Sequence, residues 1–180
     1  MNAFSTLRFK GFSLVELMAV LMISSILLTI GVPSFRTLIQ KQRITAATNE
    51  FFAAIHLARS EAVQRGRRVD FVPTEPDGDW AKGWVIFVDS NNNQKPEPGE
   101  QIIFSRGALP SGVAIDATLT DSSTQYLAYN GTGRTRTNRN SDTPQFGTFL
   151  FKLDNQSRKI ILNMLGRPRL CNPEIDKTTC

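Results

Sequence analysis

A chain of 180 residues has room for one domain of ordinary size, and a hydrophobic content of 41% suits a packed core plus one unusually apolar segment. The formal charge of +5 points toward an acidic partner, but Arg8 and Lys10 lie in a stretch argued below to be removed, leaving 19 basic against 16 acidic side chains, so the distribution of charge matters more than its sum. The motifs exclude familiar enzyme classes: there is no phosphate-binding P-loop, no cysteine near the single histidine and no metal-ligand cluster, so the chain reads as a non-enzyme without cofactor or metal.

Residues 12–32, FSLVELMAVLMISSILLTIGV, are apolar with Glu16 as their only charge. At 1.5 Å rise per residue such a helix crosses a bilayer core of roughly 30 Å. Arg8 and Lys10 precede it, so the positive-inside bias keeps residues 1–11 in the cytoplasm and sends the remainder outward. The expected location is the inner membrane, single-pass with an exported, periplasmic head, and later the cell exterior. A secretory signal would carry a small-residue cleavage site after the apolar run, whereas here the run continues into a polar helix.

The processing signal instead precedes the run. Gly11-Phe12-Ser13-Leu14-Val15-Glu16 resembles the type IV prepilin motif. That resemblance implies cleavage after Gly11 by a prepilin peptidase and methylation of the new amino terminus at Phe12. It also implies that Glu16 pairs with the amino terminus of a neighbouring subunit during assembly, a role that offsets the cost of a carboxylate within hydrocarbon. The alternative for Glu16 is a tolerated charge near the membrane edge. Gly31 and Pro33 weaken a helix one turn from the boundary, where a bend or melted turn is expected.

Beyond Pro33 a second helical stretch runs to about Arg65, with Ile44, Ala47, Phe51, Ile55, Ala58 and Ala62 forming a stripe that faces the head. Lys41, Arg43, Glu50, Arg59, Glu61 and Arg65 read as its solvated side, and His56 as a packed or capping side chain. From residue 69 the pattern changes to six candidate strands, over 69–72, 83–89, 101–106, 124–129, 148–153 and 159–164. Asp89, Asn91, Asn93 and Glu100 match positions one, three, five and twelve of an EF-hand-like loop, but Gln94 replaces the glycine and two asparagines lower the ligand charge, so a polar hairpin loop is the expectation.

ARSEAVQRGRRV at 58–69 and DWAKGWVIFVDSNNN at 79–93 are similar to the GspH/FimT group of minor pilins and pseudopilins. The resemblance implies an α+β type IV pilin fold, a long N-terminal α-helix packed on an antiparallel β-sheet head, and a low-abundance subunit near the tip of a pilus. Partners would be other major and minor pilins. The corresponding divisions are a leader at 1–11, an assembly helix at 12–33, the C-terminal half of that helix at 34–66, a β-rich head at 67–170 and a tail at 171–180.

Charge is segregated within the head. Residues 70–100 hold seven acids and two lysines, while residues 131–169 hold Arg134, Arg136, Arg139, Lys152, Arg158, Lys159, Arg167 and Arg169 against Asp142 and Asp154. Gly166-Arg167-Pro168-Arg169 resembles the GRxR motif with which FimT-type minor pilins bind DNA in natural transformation. Arginines flanking one residue of an extended chain project to one side about 6.5 to 7 Å apart, near the phosphate spacing of a strand. Proline holds the segment extended, and guanidinium groups donate bidentately to phosphate. The expected ligand is therefore double-stranded DNA bound through its backbone without sequence preference. The competing reading is a strand end carrying solubilising charge, with the protein a structural tip subunit or a GspH-like type II secretion pseudopilin. The 134–139 stretch either adds phosphate contacts, as Arg158 and Lys159 would, or is a flexible loop. Cys171 and Cys180 bracket the last ten residues with a spacing that suits a small disulfide loop in an oxidising compartment.

Overall fold

The computed structural model describes residues 11–138, 143–178 and 180. The leader up to residue 10, and Arg139 and Asp142 of the basic stretch, lie outside the described residues.

Helix α1 spans Leu14–Arg65. It opens with a capping box: the Glu16 carboxylate accepts the Ser13 N–H at 3.3 Å while the Ser13 hydroxyl accepts the Glu16 N–H at 3.2 Å. Of the bend or melted turn expected at Gly31 and Pro33, the melted turn is absent, since α1 continues through both. Proline deletes one backbone donor, a local loss in a 52-residue helix, and hydroxyl bonds run along the same stretch, from Thr29 to the Ser25 and Ile26 carbonyls and from Thr37 to the Pro33 carbonyl. The chain divides into two units, the first ending at Ile39 and the second covering Gln40–Cys180. In the first, the apolar side chains from Phe12 to Ile39 are exposed, and the helix is long and apolar enough to cross a membrane.

The second unit holds the rest of α1 and two four-stranded antiparallel sheets. Strands β1 (Val69–Pro73), β2 (Trp84–Phe87), β3 (Ile102–Arg106) and β5 (Leu127–Tyr129) form one sheet in the order β3-β2-β1-β5. Strands β4 (Ala114–Leu119), β6 (Gly147–Leu153), β7 (Gln156–Leu162) and β8 (Pro168–Cys171) form the other in the order β4-β6-β7-β8. The six expected strands are present with shifted ends. β4 and β8 escape the sequence reading because half of β4 is alanine and aspartate, residues of low strand propensity, and β8 is four residues beginning with proline.

The stripe from Ile44 to Ala62 is buried as its spacing implies, joined by Thr48 and Ala54. Phe51 lies at its centre, with ring centroids 4.9 to 5.4 Å from Phe71, Trp80, Trp84, Phe149 and Phe151, so one helical side chain contacts both sheets. Part of the expected solvated side turns inward. Glu50 takes a bidentate pair from Arg106 at 2.6 and 2.8 Å, and the half-buried Arg59 donates to the Gly133 carbonyl at 3.0 Å. Arg65 pairs with half-buried Glu61 and donates to Gln101, both at 2.6 Å. His56, expected to be packed or capping, is exposed yet stacks T-shaped with Phe52 at a centroid distance of 4.6 Å, and partial desolvation followed by the charge of Arg59 lowers its pKa.

The first sheet carries a smaller apolar cluster on its far face, Val72, Val85, Phe87, Tyr126 and Ala128. Asp70 shares that face. It is fully buried, held by Arg68 at 2.6 and 2.7 Å, and Arg68 also lies 3.6 Å from Asp89. Asp89 in turn accepts the N–H groups of Asn92 and Gln94, while Glu100 accepts those of Ser90 and Glu97, so the polar loop is tied together by its own carboxylates.

Burial, and secondarily the neighbouring Asp89, push the Asp70 carboxyl up from 3.8 to about 7 against the pull of Arg68. A raised acid pKa means that the folded state holds the proton longer than the unfolded chain. This contribution is fully present below about 4 and is lost as pH rises to about 7. Asp70→Asn should flatten that component: in urea titrations from pH 4 to 8, wild type loses more stability with rising pH than the variant, and parallel curves would contradict the assignment.

Candidate nucleic-acid interface

Asn163, Met164, Leu165 and Gly166 form the turn between β7 and β8. The Gly166 N–H donates to the Asn163 carbonyl at 2.9 Å and the Asn163 N–H to the Arg167 carbonyl at 3.2 Å, while Gly166 has φ +72°. This is a three-residue hairpin loop closed by a left-handed bulge residue, a position that favours glycine. Contact is a second reason for glycine. A Cβ at 166 would lie 2.9 Å from Cε1 of Tyr129 and 3.1 Å from the backbone nitrogen of Thr135. The Tyr129 hydroxyl donates to the Gly166 carbonyl at 2.8 Å, and burial raises the pKa of that phenol, which keeps its donor proton in place.

Thr135 is buried and forms an isolated β-bridge with Tyr129, and its hydroxyl donates to the Gln145 carbonyl at 2.6 Å. The segment around it is therefore bonded rather than free. The Asn130 side-chain oxygen accepts the N–H groups of Thr132 and Arg134, both at 3.1 Å, and Arg136 N–H donates to the Ala128 carbonyl, also at 3.1 Å. Asn138 N–H reaches the Tyr126 hydroxyl at 2.7 Å. The other flank rests on the end of α1: a Cβ at 131 would lie 2.6 Å from the carbonyl carbon of Gly66.

Two close backbone contacts, Gly66 with Gly131 and Thr135 with Gly166, thus bring three basic segments together. Arg67 follows the first contact, Arg134 and Arg136 flank Thr135, and Arg167 follows Gly166. Arg67, Arg134 and Arg167 are exposed, and among the described residues none has an acidic partner. Arg136 is half-buried and bonds the Thr135 carbonyl at 2.8 Å; together with Arg68, Asn92, Asn130 and Asn138 it lines a shallow groove. Pro168 pairs with Leu162 and Arg169 with Ile161, so Arg169 stands on the outer face of the second sheet at its edge strand.

The other expected contacts are placed elsewhere. Arg158 pairs with Phe151 on the inner face and lies beside Thr45, Thr48 and Asn49 of α1. Lys159 shares the outer face with Arg169, but its ammonium donates to the Cys180 carbonyl at 3.0 Å. Lys152 pairs with Asp116 at 2.7 Å. Cys171 and Cys180 are joined by a disulfide with Cα atoms 5.8 Å apart, closing the loop that engages Lys159. Arg67 was missed in the sequence, where Gly66 in a left-handed position at the helix end, followed by two arginines, was its only signal.

Residues 47–166 match the family of the type II transport protein GspH, and residues 7–32 match the prokaryotic N-terminal methylation motif. The pilin-like protein PilA1 of Thermus thermophilus is 27% identical over 167 residues, covering 89% of this chain and 97% of that protein. Among solved structures, the type IV minor pilin FimU of Pseudomonas aeruginosa aligns with TM-score 0.58 at 19% identity over 74% of this chain and 92% of its own. The minor pseudopilin EpsH of the Vibrio cholerae type 2 secretion system aligns with TM-score 0.50 at 15% identity, over 73% and 98%. These likenesses establish the fold as that of the type IV pilins.

The glycine contact sets a graded expectation. Gly166→Ala should lose about 1 to 3 kcal/mol of stability through left-handed strain and the clash with Tyr129. Tyr129→Phe, which deletes one hydrogen bond to the turn, should lose about 1 kcal/mol. Chemical denaturation measures both, and a wild-type midpoint for Gly166→Ala would contradict the geometry.

Proposed function

The chain belongs to the GspH family of pilin-like proteins, and on that footing we propose that it is a minor type IV pilin that binds extracellular double-stranded DNA, without sequence preference, for uptake in natural transformation. The observation that carries this reading is the exposed, uncompensated Arg167 on a glycine-locked turn, braced against the loop that bears Arg134. Neither residues 130–138 nor residues 163–171 contain an acidic side chain. Arg169 extends the set along β8, and Arg67 and Arg136 extend it across the loop toward the end of α1. The exposed guanidinium groups of Arg67, Arg134 and Arg167, which have no acidic partner among the described residues, favour phosphates over base edges, which makes binding salt-sensitive. Several subunits or pili would raise an otherwise weak affinity by avidity.

The amino-terminal part serves export and assembly in the same proposal. The methylation motif supports cleavage after Gly11 by a prepilin peptidase and N-methylation of Phe12. The subunit would then wait in the inner membrane as a single-pass protein, held by residues 12–33, before joining other pilins at the cell exterior. Glu16, one turn from the new terminus, would pair with a neighbouring amino group in the fibre. Its bond to the Ser13 N–H gives that carboxylate a partner within its own chain beforehand. The head, residues 67–170, and the disulfide-closed tail, residues 171–180, form the outer surface.

A second reading assigns the chain a structural place at a pilus or secretion-pseudopilus tip without DNA. Its support is the family description, a type II transport protein, and the pseudopilin among its structural neighbours. The discriminating experiment is a titration of full-length protein in detergent micelles with random-sequence duplex across a salt series. Wild type should bind with a log–log salt slope of about 0.9 per phosphate contacted, and Arg167→Gln with Arg169→Gln should lower that slope by about 2 while leaving the fold intact. Equal binding by both proteins, or none at low salt, would favour the structural tip subunit.

A further inference from the structure

Phosphate contacts by Arg167 and Arg134 would not account for the apolar tip of the turn that precedes Arg167. Met164 and Leu165 occupy the two central positions of the β7–β8 turn and are 62% and 46% exposed. Turn centres favour Gly, Pro, Asn, Asp and Ser; Asn163 and Gly166 meet that preference at the corners, but the centre does not. Both side chains leave about half or more of their surface in water, so the fold gains only part of what their burial could give.

The tip is also held in place. The Asn163 side-chain oxygen accepts the N–H groups of Leu165 and Arg167, both at 3.0 Å. Gly166 N–H closes the turn at 2.9 Å, and the buried Tyr129 hydroxyl anchors the Gly166 carbonyl at 2.8 Å. A thioether and an isobutyl group therefore project from a braced hairpin, followed after Gly166 by the exposed guanidinium of Arg167. Apolar side chains carried among cations are the chemistry that partly unstacks a base step while the cations hold the flanking phosphates.

We propose that Met164 and Leu165 form a wedge that enters duplex DNA at a base step as Arg167 engages the neighbouring phosphates. This rests on the DNA-binding reading and gives it a mode. The protein still reads no base edge and binds any sequence, and only the ease of opening the step under the wedge modulates affinity, with pyrimidine–purine steps such as TA yielding more readily than stiff A-tracts.

The test uses full-length protein in detergent micelles and a duplex with 2-aminopurine at a central TA step, whose fluorescence rises on unstacking. Wild type should raise the signal several-fold at saturation. Met164→Ser with Leu165→Ser should still bind, with reduced affinity, and leave the signal near that of free duplex; Met164→Leu should behave as wild type. Saturation by wild type without a fluorescence change, or an equal rise with the double variant, overturns the wedge and leaves DNA binding standing. Failure of wild type to bind at low salt overturns both. Because Asn163 and Gly166 are untouched, circular dichroism of the double variant should match wild type.

Discussion

One buried ring joins the helix to everything else in the head. Phe51 contacts Phe71 and Trp84 from the first sheet, Trp80 from the turn between β1 and β2, and Phe149 and Phe151 from the second sheet. Aromatic contacts of this density add to the gain from burial and resist sliding, because interiors pack at crystalline density. With α1 held in register by Phe51, its last turn has a fixed position relative to β5 and the loop after it. The Gly66 and Gly131 backbones can then meet without side chains between them.

The basic surface follows from that placement rather than from charge alone. Arginines at 67, 134 and 167 are far apart in sequence and repel one another. Their stems are brought together by contacts that cost little, one glycine against another and a threonine bridge against Gly166. Five of the seven acids of residues 70–100 are spent close by: Asp70 on Arg68, Asp77 on Lys82, Asp79 on the Ala81 N–H, and Asp89 and Glu100 on loop amides. The two stretches meet at one seam, where the Asn138 amide donates to the Asn92 carbonyl at 2.7 Å and Arg67 and Arg68 line a pocket with Asp89, while Arg134 and Arg167 keep an open field toward solvent.

The sequence made the helix and most strands legible because their periodicities are long and regular. Ile44, Phe51, Ile55 and Ala62 recur at helical spacing over several turns, and strands such as β6 carry phenylalanines at alternate positions. β8 was hidden, since four residues starting with proline carry no periodic signal and the strand exists through pairing with β7. Arg158 and Lys159 looked equivalent as neighbours, yet the period of two sends one toward α1 and the other to the disulfide loop. The GRPR arginines could be read from the motif, but Arg67 could not, because its approach depends on two glycines separated by 65 residues in the chain.

The central claim is that three separated segments form one DNA-contacting surface. The most direct measurement is backbone amide chemical-shift mapping of isotope-labelled full-length protein in micelles, titrated with a short random-sequence duplex at low salt. The account predicts that the largest perturbations fall together at Arg67, across 130–138 and across 163–169, with the acidic stretch at 70–100 largely silent apart from residues 89–92, which touch Arg67 and Asn138. Perturbations concentrated in that acidic stretch, confined to a single segment, or absent at saturating duplex would contradict it.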